Sequence, residues 1–149
     1  MISKILVPTD GSEAAQKAAR YGVDLAKKLK ASVIVLSVID NRSFVARAVP
    51  PSATALHVIE PTEDYLREAA EQYTRKIQKI CDKKGVRSKI IITVGHPVEV
   101  ITKEAERLKG TLIVMGSHGK SAFAAAFLGS VTYGVIHKDT KIPVLVVRR

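Results

Sequence analysis

The sequence predicts a three-layer α/β fold, in which a five-stranded parallel sheet carries helices on both faces. Short aliphatic and β-branched runs alternate along the 149-residue chain with longer segments whose apolar residues recur every three or four positions. The short runs are apolar at nearly every position, as strands covered on both faces are. Strands that alternate with helices favour parallel pairing through right-handed crossovers.

The first part of the chain predicts a strand, a helix and a second strand. Strand one covers residues 4–8, KILVP, and a helix follows at residues 12–30 with Ser12 as the expected N-cap. Strand two covers residues 32–39 and is rich in β-branched residues. The apolar stripe of the helix consists of Ala15, Ala18, Ala19, Gly22, Leu25 and Leu29.

An irregular connection and a second long helix come next. Residues 41–60 lose periodicity around Pro50-Pro51, and long loops in compact domains are often binding loops or lids. The helix covers residues 62–84, and Gly85 ends it. Cys81 belongs to the apolar stripe of this helix, so we expect a core thiol rather than a nucleophile.

The last part of the chain predicts three strands and two helices. Strand three covers residues 89–94, and the turn Gly95-His96-Pro97 places Pro97 in the first turn of a helix that Gly110 stops. The remaining elements are strand four at residues 112–115, a helix at residues 130–138 and strand five at residues 143–147.

The composition is that of an ordinary globular domain. Hydrophobic residues make up 46% and charged residues 26% of the chain, and its length fits a single domain over residues 1–149. The single cysteine excludes an intramolecular disulfide and a multi-cysteine metal site. The N-terminal residues lack a signal-peptide core, and no apolar run approaches the roughly 18 residues of a membrane helix. We therefore expect a cytoplasmic protein with no membrane partner.

The net charge of +10 raises the question of an anionic partner. The basic residues are spread along the chain and tryptophan is absent, so solvated helix faces are the favoured interpretation and a nucleic-acid surface is the weaker one. Asp40 is interpreted as a solvated carboxylate at a strand end. No metal site formed by protein side chains alone is expected, because the histidines show no i, i+4 pairing. They are His57, His96, His118 and His137.

Two strand ends carry residues typical of a ligand site. Strand one ends in the segment Pro8-Thr9-Asp10-Gly11-Ser12, and strand four ends in a glycine-rich loop at residues 116–130. Ligands of open α/β sheets bind outside the carboxyl ends of the strands, where the strand order reverses. In a sheet of order 3-2-1-4-5 the reversal falls between strands one and four, so both segments would face one crevice.

The glycine loop predicts an anion site. Gly116, Gly119 and Gly129 remove side chains where the backbone approaches a ligand closely or takes a positive φ. Ser130 begins a helix, whose unpaired N–H groups and positive dipole suit a phosphate. The loop therefore favours a phosphorylated ligand.

The tripeptide Gly119-Lys120-Ser121 imitates the end of a P-loop, G-x-x-x-x-G-K-[ST]. The first glycine of that pattern would fall on Val114, inside strand four, so the loop is too short to wrap a phosphate. Lys120 is left with either a modest electrostatic role or none.

The spacing Gly116-x2-Gly119-x9-Gly129-Ser130 resembles the glycine pattern of the ATP-binding branch of the universal stress protein family. Further segments agree in the same order: KILVPTDGSE, VLSVID, VGHPVEVI and IPVLVVRR. The resemblance covers the whole chain. It implies a flavodoxin-like, Rossmann-like sheet of order 3-2-1-4-5 and a role as a nucleotide-dependent switch or sensor in the stress response.

The resemblance also implies the site residues and partners. Pro8 and Thr9 would line the adenine end, Asp10 would bind the ribose or a metal-linked phosphate, and Val38 would contact adenine through its backbone. A Mg or Mn ion would accompany the ATP. A homodimer would form through residues 144–147. The rest of the implied site consists of Met115, Gly116, His118, Gly119, Gly129, Ser130 and Val131.

Some features leave alternatives open. Thr111 stands where family members commonly carry an acidic residue, and residues 41–57 match no known pattern. A slow ATPase or phosphotransferase would rely on Asp10, His118 or Lys120, none of which has a diagnostic partner by spacing. A basic module for nucleic acid or an acidic partner is the weaker alternative.

Overall fold

A computed structural model of the protein describes residues 1–42, 62–119 and 128–148. These residues form five strands and four helices, whose bounds follow the prediction within a few residues. The elements are β1 (Lys4–Pro8), α1 (Glu13–Leu29), β2 (Ser32–Asp40), α2 (Glu63–Lys84), β3 (Ser88–Gly95), α3 (Pro97–Arg107), β4 (Leu112–Gly116), α4 (Ser130–His137) and β5 (Val144–Val147). Most of the irregular connection predicted at residues 41–60, and Lys120 with Ser121, lie outside the described residues.

The sheet is parallel throughout and has the order β3-β2-β1-β4-β5. The predicted fold class and strand order are therefore confirmed. The order reverses between β1 and β4, which pair directly with each other. Consequently the residues that follow these two strands leave the sheet side by side at its carboxyl edge.

Alternation along the strands divides the core into two layers. On one face, Val7 and Val35 pack with α1 and α2, and Cys81 is fully buried among them. On the other face, Leu6 and Leu36 pack with α3 and α4. Burial raises the pKa of the Cys81 thiol, as expected for a core residue. The predicted core role of Cys81 is confirmed.

Two of the helices begin with side-chain caps. The Ser12 hydroxyl accepts a hydrogen bond from the Ala15 N–H at 3.2 Å, and the Thr62 hydroxyl accepts one from the Tyr65 N–H at 3.2 Å. The cap predicted at Ser12 is therefore confirmed. The prediction that Leu29 is buried is wrong, because the stripe of α1 turns toward Val23 and Ala26 and leaves Leu29 43% exposed.

The charged side chains of the described helices lie mainly on their outer faces. Several form exposed ion pairs, including Arg67 with Glu63 at 3.2 Å and Arg107 with Glu104 at 2.6 Å. These pairs support the interpretation of the basic residues as solvated helix faces. Within the described ranges, no helix combines the length and apolar character needed to cross a membrane.

Candidate functional site

A cavity of about 640 Å³ opens at the carboxyl edge of the sheet, between the ends of β1 and β4. Its volume falls within the roughly 300–1,000 Å³ of small-molecule sites. All the residues that the family resemblance implies for the site line it: Pro8, Thr9, Asp10, Val38, Met115, Gly116, His118, Gly119, Gly129, Ser130 and Val131. The structure thus brings the two strand ends together across one crevice.

Other residues of the cavity wall were missed by sequence reasoning. They are Ala15, Leu36, Pro97, Ile101, Thr132 and Tyr133. Ala15 and Ile101 lie on apolar helix stripes, and Pro97 occupies a helix start, so each already had a structural explanation in the sequence. Only the packing of α3 and α4 against the sheet shows that these residues also form a wall, which is largely apolar.

The turn after β1 is held by hydrogen bonds from its own side chains. The Asp10 carboxylate accepts the Ser12 N–H at 2.9 Å, and the Thr9 hydroxyl accepts the Gly11 N–H at 3.2 Å. Gly11 has a φ of +80°, a conformation that favours glycine. The turn therefore fixes the direction of the Asp10 carboxylate at the cavity wall.

The same carboxylate touches the glycine loop. A Cβ atom built on Gly119 would lie 2.8 Å from Oδ2 of Asp10. A side chain at residue 119 would therefore displace the Asp10 carboxylate or the loop. Gly119 allows the two segments of the crevice to come into contact.

The other two loop glycines also contact backbone atoms of the protein. A Cβ on Gly116 would lie 2.9 Å from the Ala14 carbonyl oxygen. A Cβ on Gly129 would lie 3.2 Å from the Gly119 nitrogen and 3.2 Å from the His118 Cα. At both positions a side chain would overlap with backbone atoms, which cannot move aside as easily as the end of a flexible side chain.

The backbone angles correct one of the two reasons given for the loop glycines from the sequence, a positive φ. Among the described glycines, positive φ occurs at Gly11 and Gly85, and not at Gly116, Gly119 or Gly129. Positive φ is therefore not the reason for the loop glycines, whereas close packing within the protein accounts for all three. The close approach of a ligand to the backbone at these positions stays a prediction.

Hydrogen bonds tie the glycine loop to α4. The Gly129 N–H donates to the Ser117 carbonyl at 2.7 Å, and the Thr132 hydroxyl donates to the Gly116 carbonyl at 2.8 Å. The Ser117 hydroxyl and His118 Nδ1 are 2.8 Å apart. The start of α4 is thereby held against the end of β4.

The N-terminus of α4 faces the cavity. Gly129 is the N-cap and makes no side-chain capping bond, and the first-turn residues Ser130, Val131 and Thr132 line the cavity. First-turn N–H groups have no partner within their own helix, and the helix dipole is positive there. This wall of the cavity therefore suits an anionic group.

The backbone of Val38 also faces the cavity. β1 pairs with β2 as far as Pro8, opposite Leu36, and the Thr9 N–H donates to the Leu36 carbonyl at 2.8 Å. Backbone groups of alternate residues in a strand point to the same side. Val38 lies two residues beyond Leu36, so its N–H and C=O point to the same side of β2 as those of Leu36. At Val38 that side faces the cavity, because the pairing with β1 ends at Leu36. A planar ligand there would meet one donor and one acceptor.

Several other polar residues lie away from this site or have structural contacts. Asp40 accepts a hydrogen bond from Arg42 Nη2 at 2.6 Å, which holds the pKa of the carboxyl below its usual value, and it is not among the residues lining the cavity. His137 stacks on Tyr133 with ring centroids 4.0 Å apart. In the part of the chain that the structure describes, no three His, Cys, Asp or Glu side chains are placed to hold a metal.

Comparison with known proteins identifies the family. Residues 1–148 match the universal stress protein family. Universal stress protein MJ0577 of Methanocaldococcus jannaschii is 41% identical over 158 aligned residues, which cover 100% of this chain and 96% of the relative. The chain belongs to the universal stress protein family.

Solved structures share this fold. The structure of MJ0577 superposes with a TM-score of 0.80 at 38% identity, covering 100% of this chain and 97% of that one. UspA of Lactobacillus plantarum superposes with a TM-score of 0.79 at 27% identity, covering 99% and 98%. Universal stress proteins solved with cAMP and, from Archaeoglobus fulgidus, with dAMP share the fold at TM-scores of 0.68 and 0.67; each is 22% identical to this chain. The cAMP complex covers 99% of this chain and 97% of that one, and the dAMP complex covers 98% of each.

Proposed function

We propose that this protein binds an adenine nucleotide in the cavity at the carboxyl edge, and that ATP with Mg²⁺ or Mn²⁺ is the bound form. In this proposal the protein acts as a cytoplasmic, nucleotide-dependent switch or sensor in the stress response. The carrying observation is the convergence in one cavity of a helix N-terminus, a fixed carboxylate and the strand backbone of Val38, which lies beyond the last β1 pairing. Each suits a different part of a nucleotide.

The phosphates are assigned to the start of α4. Ser130 and Val131 belong to its first turn and line the cavity beside Gly119. Backbone N–H groups there bind an anion without a lysine, as helix N-termini do elsewhere. The assignment therefore gives Lys120, which lies outside the described residues, at most a small share of the affinity.

The base is assigned to the apolar wall beside Val38. Leu36, Pro97 and Ile101 provide hydrophobic surface for a ring, and the Val38 backbone provides an acceptor next to a donor. Adenine carries the N6 amino donor, whereas guanine carries the O6 acceptor at the matching place. The Val38 carbonyl would face the guanine O6 with no proton between them, so the pocket should favour adenine.

The ribose and the metal are assigned to the neighbourhood of Asp10. Its Oδ1 already accepts the Ser12 N–H, and Oδ2 faces Gly119 across the crevice. A carboxylate accepts hydrogen bonds from ribose hydroxyls, and nucleotide-bound Mg²⁺ is typically held by phosphates and one or two carboxylates. The donor set therefore fits a metal that arrives with the nucleotide rather than a resident ion.

Calorimetric titration of the full chain with ATP and with GTP, each with excess Mg²⁺, tests the proposal. We expect saturable ATP binding, and GTP binding weaker by about ten-fold or more, the size of one mismatched polar contact. Asp40→Ala is the matched control, because it removes a carboxylate from the end of the neighbouring strand outside the cavity. Absence of ATP binding at millimolar concentration would contradict the proposal.

We also propose that two copies pair through β5. This strand lies at the edge of the sheet, and its residues are half-buried. The Pro143 and Val147 carbonyls accept hydrogen bonds from Ile113 and Ser117, so the backbone of the intervening even-numbered residues points outward. An unprotected strand edge is a template for pairing with another chain.

Sedimentation of Val146→Pro tests the dimer. Proline removes the outward N–H of Val146 and leaves the hydrogen bonds between β4 and β5 in place. Val146→Thr is the matched control, since it keeps the N–H and the β-branched shape. We expect Val146→Pro to be monomeric and Val146→Thr to remain dimeric, and a monomeric wild-type protein would contradict the assignment.

Hydrogen exchange with and without ATP tests the switch. A switch requires that the ligand change the relative free energies of two states of the protein. We expect ATP to change amide protection in β5, outside the cavity, as well as at Gly119 and Ser130. If ATP changes amide protection only at the cavity wall, the protein binds the nucleotide but the proposed switch is contradicted.

A further inference from the structure

Tyr73, on α2, lies directly behind the turn that carries Asp10. A Cβ atom built on Gly11 would lie 2.5 Å from Cδ1 and 2.8 Å from Cε1 of the Tyr73 ring. The ring therefore occupies the space that a side chain at residue 11 would need. The backbone of the turn rests on this ring, which does not itself line the cavity.

The hydroxyl of Tyr73 anchors the ring to β2. It lies 2.7 Å from the Ser37 hydroxyl, and Ser37 is fully buried. Burial raises the pKa of the Tyr73 phenol, so the hydroxyl stays protonated at physiological pH. Ser37 stands between Leu36, whose carbonyl accepts the Thr9 N–H, and Val38, which lines the cavity.

We infer that Tyr73 is a positioning residue for the nucleotide site. Its ring supports the turn at Gly11 so that the Asp10 carboxylate faces Gly119, and its hydroxyl sets the ring relative to the strand that presents Val38. Tyr73 is not among the residues that line the cavity, so it acts on the ligand through Asp10. The inference rests on the proposed function and deepens it.

A role in core packing alone would give a different pattern. Next to Tyr73 on α2, Thr74 and Ile77 are fully buried, and Ile77 packs in the core beneath the sheet. Substitution of a residue that only packs lowers folding stability, and its effect on ligand affinity is the same whether or not Asp10 is present. A positioning residue is coupled to Asp10, and the coupling is measurable in a double-mutant cycle.

The experiment is a cycle of Tyr73→Phe and Asp10→Asn in the full chain, with ATP affinity measured by calorimetry. Phenylalanine keeps the ring against Gly11 and removes the bond to Ser37. We expect Tyr73→Phe to weaken ATP binding about three- to ten-fold in the wild-type background and less than about two-fold in the Asp10→Asn background. Ser37→Ala deletes the same bond from its other end and should reproduce the effect of Tyr73→Phe.

The control is Ile77→Val, one helical turn further along the same face of α2. It should lower stability and leave ATP affinity unchanged. Amide spectra without ligand give a second measure: Tyr73→Phe should shift the signals of Asp10, Gly11 and Ser12, and Ile77→Val should not. Unshifted turn signals in Tyr73→Phe overturn the inference.

The outcomes separate the inference from the proposed function. Absence of ATP binding by the wild-type protein contradicts the proposed function. If the wild-type protein binds ATP and Tyr73→Phe weakens binding equally in both backgrounds, or in neither, only the role of Tyr73 is overturned.

Discussion

The two segments that meet at the cavity are stabilised in opposite ways. The turn after β1 depends on polar side chains that bond to its backbone, from Thr9, Asp10 and Ser12. The loop after β4 depends on absent side chains, because Gly116 and Gly129 lie against backbone atoms. The loop is therefore damaged by adding atoms. The turn is damaged by deleting side-chain atoms and, at Gly11 alone among its residues Thr9 to Ser12, by adding a side chain against the Tyr73 ring. One site contains both kinds of sensitivity, and matched substitutions can separate them.

The largest effect is expected from adding a branched side chain to the loop. Gly129→Val would press against the Gly119 nitrogen and the His118 Cα, each 3.2 Å from an ideal Cβ. The start of α4 would move relative to the loop, and ATP affinity should fall about 100-fold or more, as it does when several coupled contacts are lost. Calorimetry gives the affinity, and Gly129→Ala should give an intermediate value. Affinity unchanged in both variants would contradict close packing as the reason for this glycine.

A second large effect is expected at Gly11. Gly11→Ala combines a positive φ with a Cβ 2.5 Å from the Tyr73 ring. Gly85→Ala is the matched control, because Gly85 has a φ of +69° and no neighbouring atom within 4 Å of its Cβ position. The control should lose about 1 kcal/mol for the backbone strain, and Gly11→Ala should lose about 1–3 kcal/mol more for the overlap. Urea titrations measure the unfolding free energies. Equal losses in Gly11→Ala and Gly85→Ala would show that the Tyr73 ring moves aside without destabilising the protein.

An intermediate effect is expected from deleting a carboxylate. Asp10→Ala should weaken ATP binding about ten-fold, since it removes a charged acceptor at the cavity wall. Asp40→Ala, at the end of β2, should change the affinity by less than about two-fold, because Asp40 pairs with Arg42 outside the cavity. Equal losses in the two variants would indicate a general effect of charge rather than a contact of Asp10.

A smaller effect is expected from the helix caps. Ser12→Ala and Thr62→Ala delete equivalent hydrogen bonds, each 3.2 Å long, and each should cost about 1 kcal/mol of unfolding free energy. Only Ser12→Ala should also weaken ATP binding, because Ser12 belongs to the turn that carries Asp10. Equal ATP affinities of Ser12→Ala and Thr62→Ala would show that the cap at Ser12 does not contribute to ligand binding.

The smallest effect is expected from Lys120→Ala. The sequence pattern excludes a P-loop, so the lysine should contribute less than about three-fold to ATP affinity, or about 0.6 kcal/mol. Calorimetry beside Gly129→Val makes the comparison direct. A large loss in Lys120→Ala together with a small loss in Gly129→Val would mean that the lysine binds the phosphates after all.

The fold was predictable because its signals are local. Strand runs, helix periodicity and the cap at Ser12 each occupy a few consecutive residues, and crossover handedness limits the strand order. Thr111, which departs from the family pattern, lies just before β4 at the amino edge of the sheet, where its hydroxyl accepts hydrogen bonds from the Ser3 and Lys4 N–H groups at 2.9 Å. That edge is opposite the cavity.

Features that depend on tertiary contacts were not predictable. The glycine spacing marked the loop, but the atoms that exclude a Cβ at Gly116 belong to α1. The outward backbone of Val38 follows from the point at which β1 stops pairing, which no local pattern encodes. From the sequence, Tyr73 has no role beyond its place on a long helix, because its contact with Gly11 joins residues far apart in the chain.

The most direct test of the account is an amide chemical-shift titration of the full chain with ATP and Mg²⁺. The account predicts saturable shifts at Val38, Gly119, Gly129 and Ser130, which surround the cavity at the carboxyl edge. Shifts confined to residues of the amino edge, such as Thr111, with unmoved signals at the carboxyl edge, would contradict it.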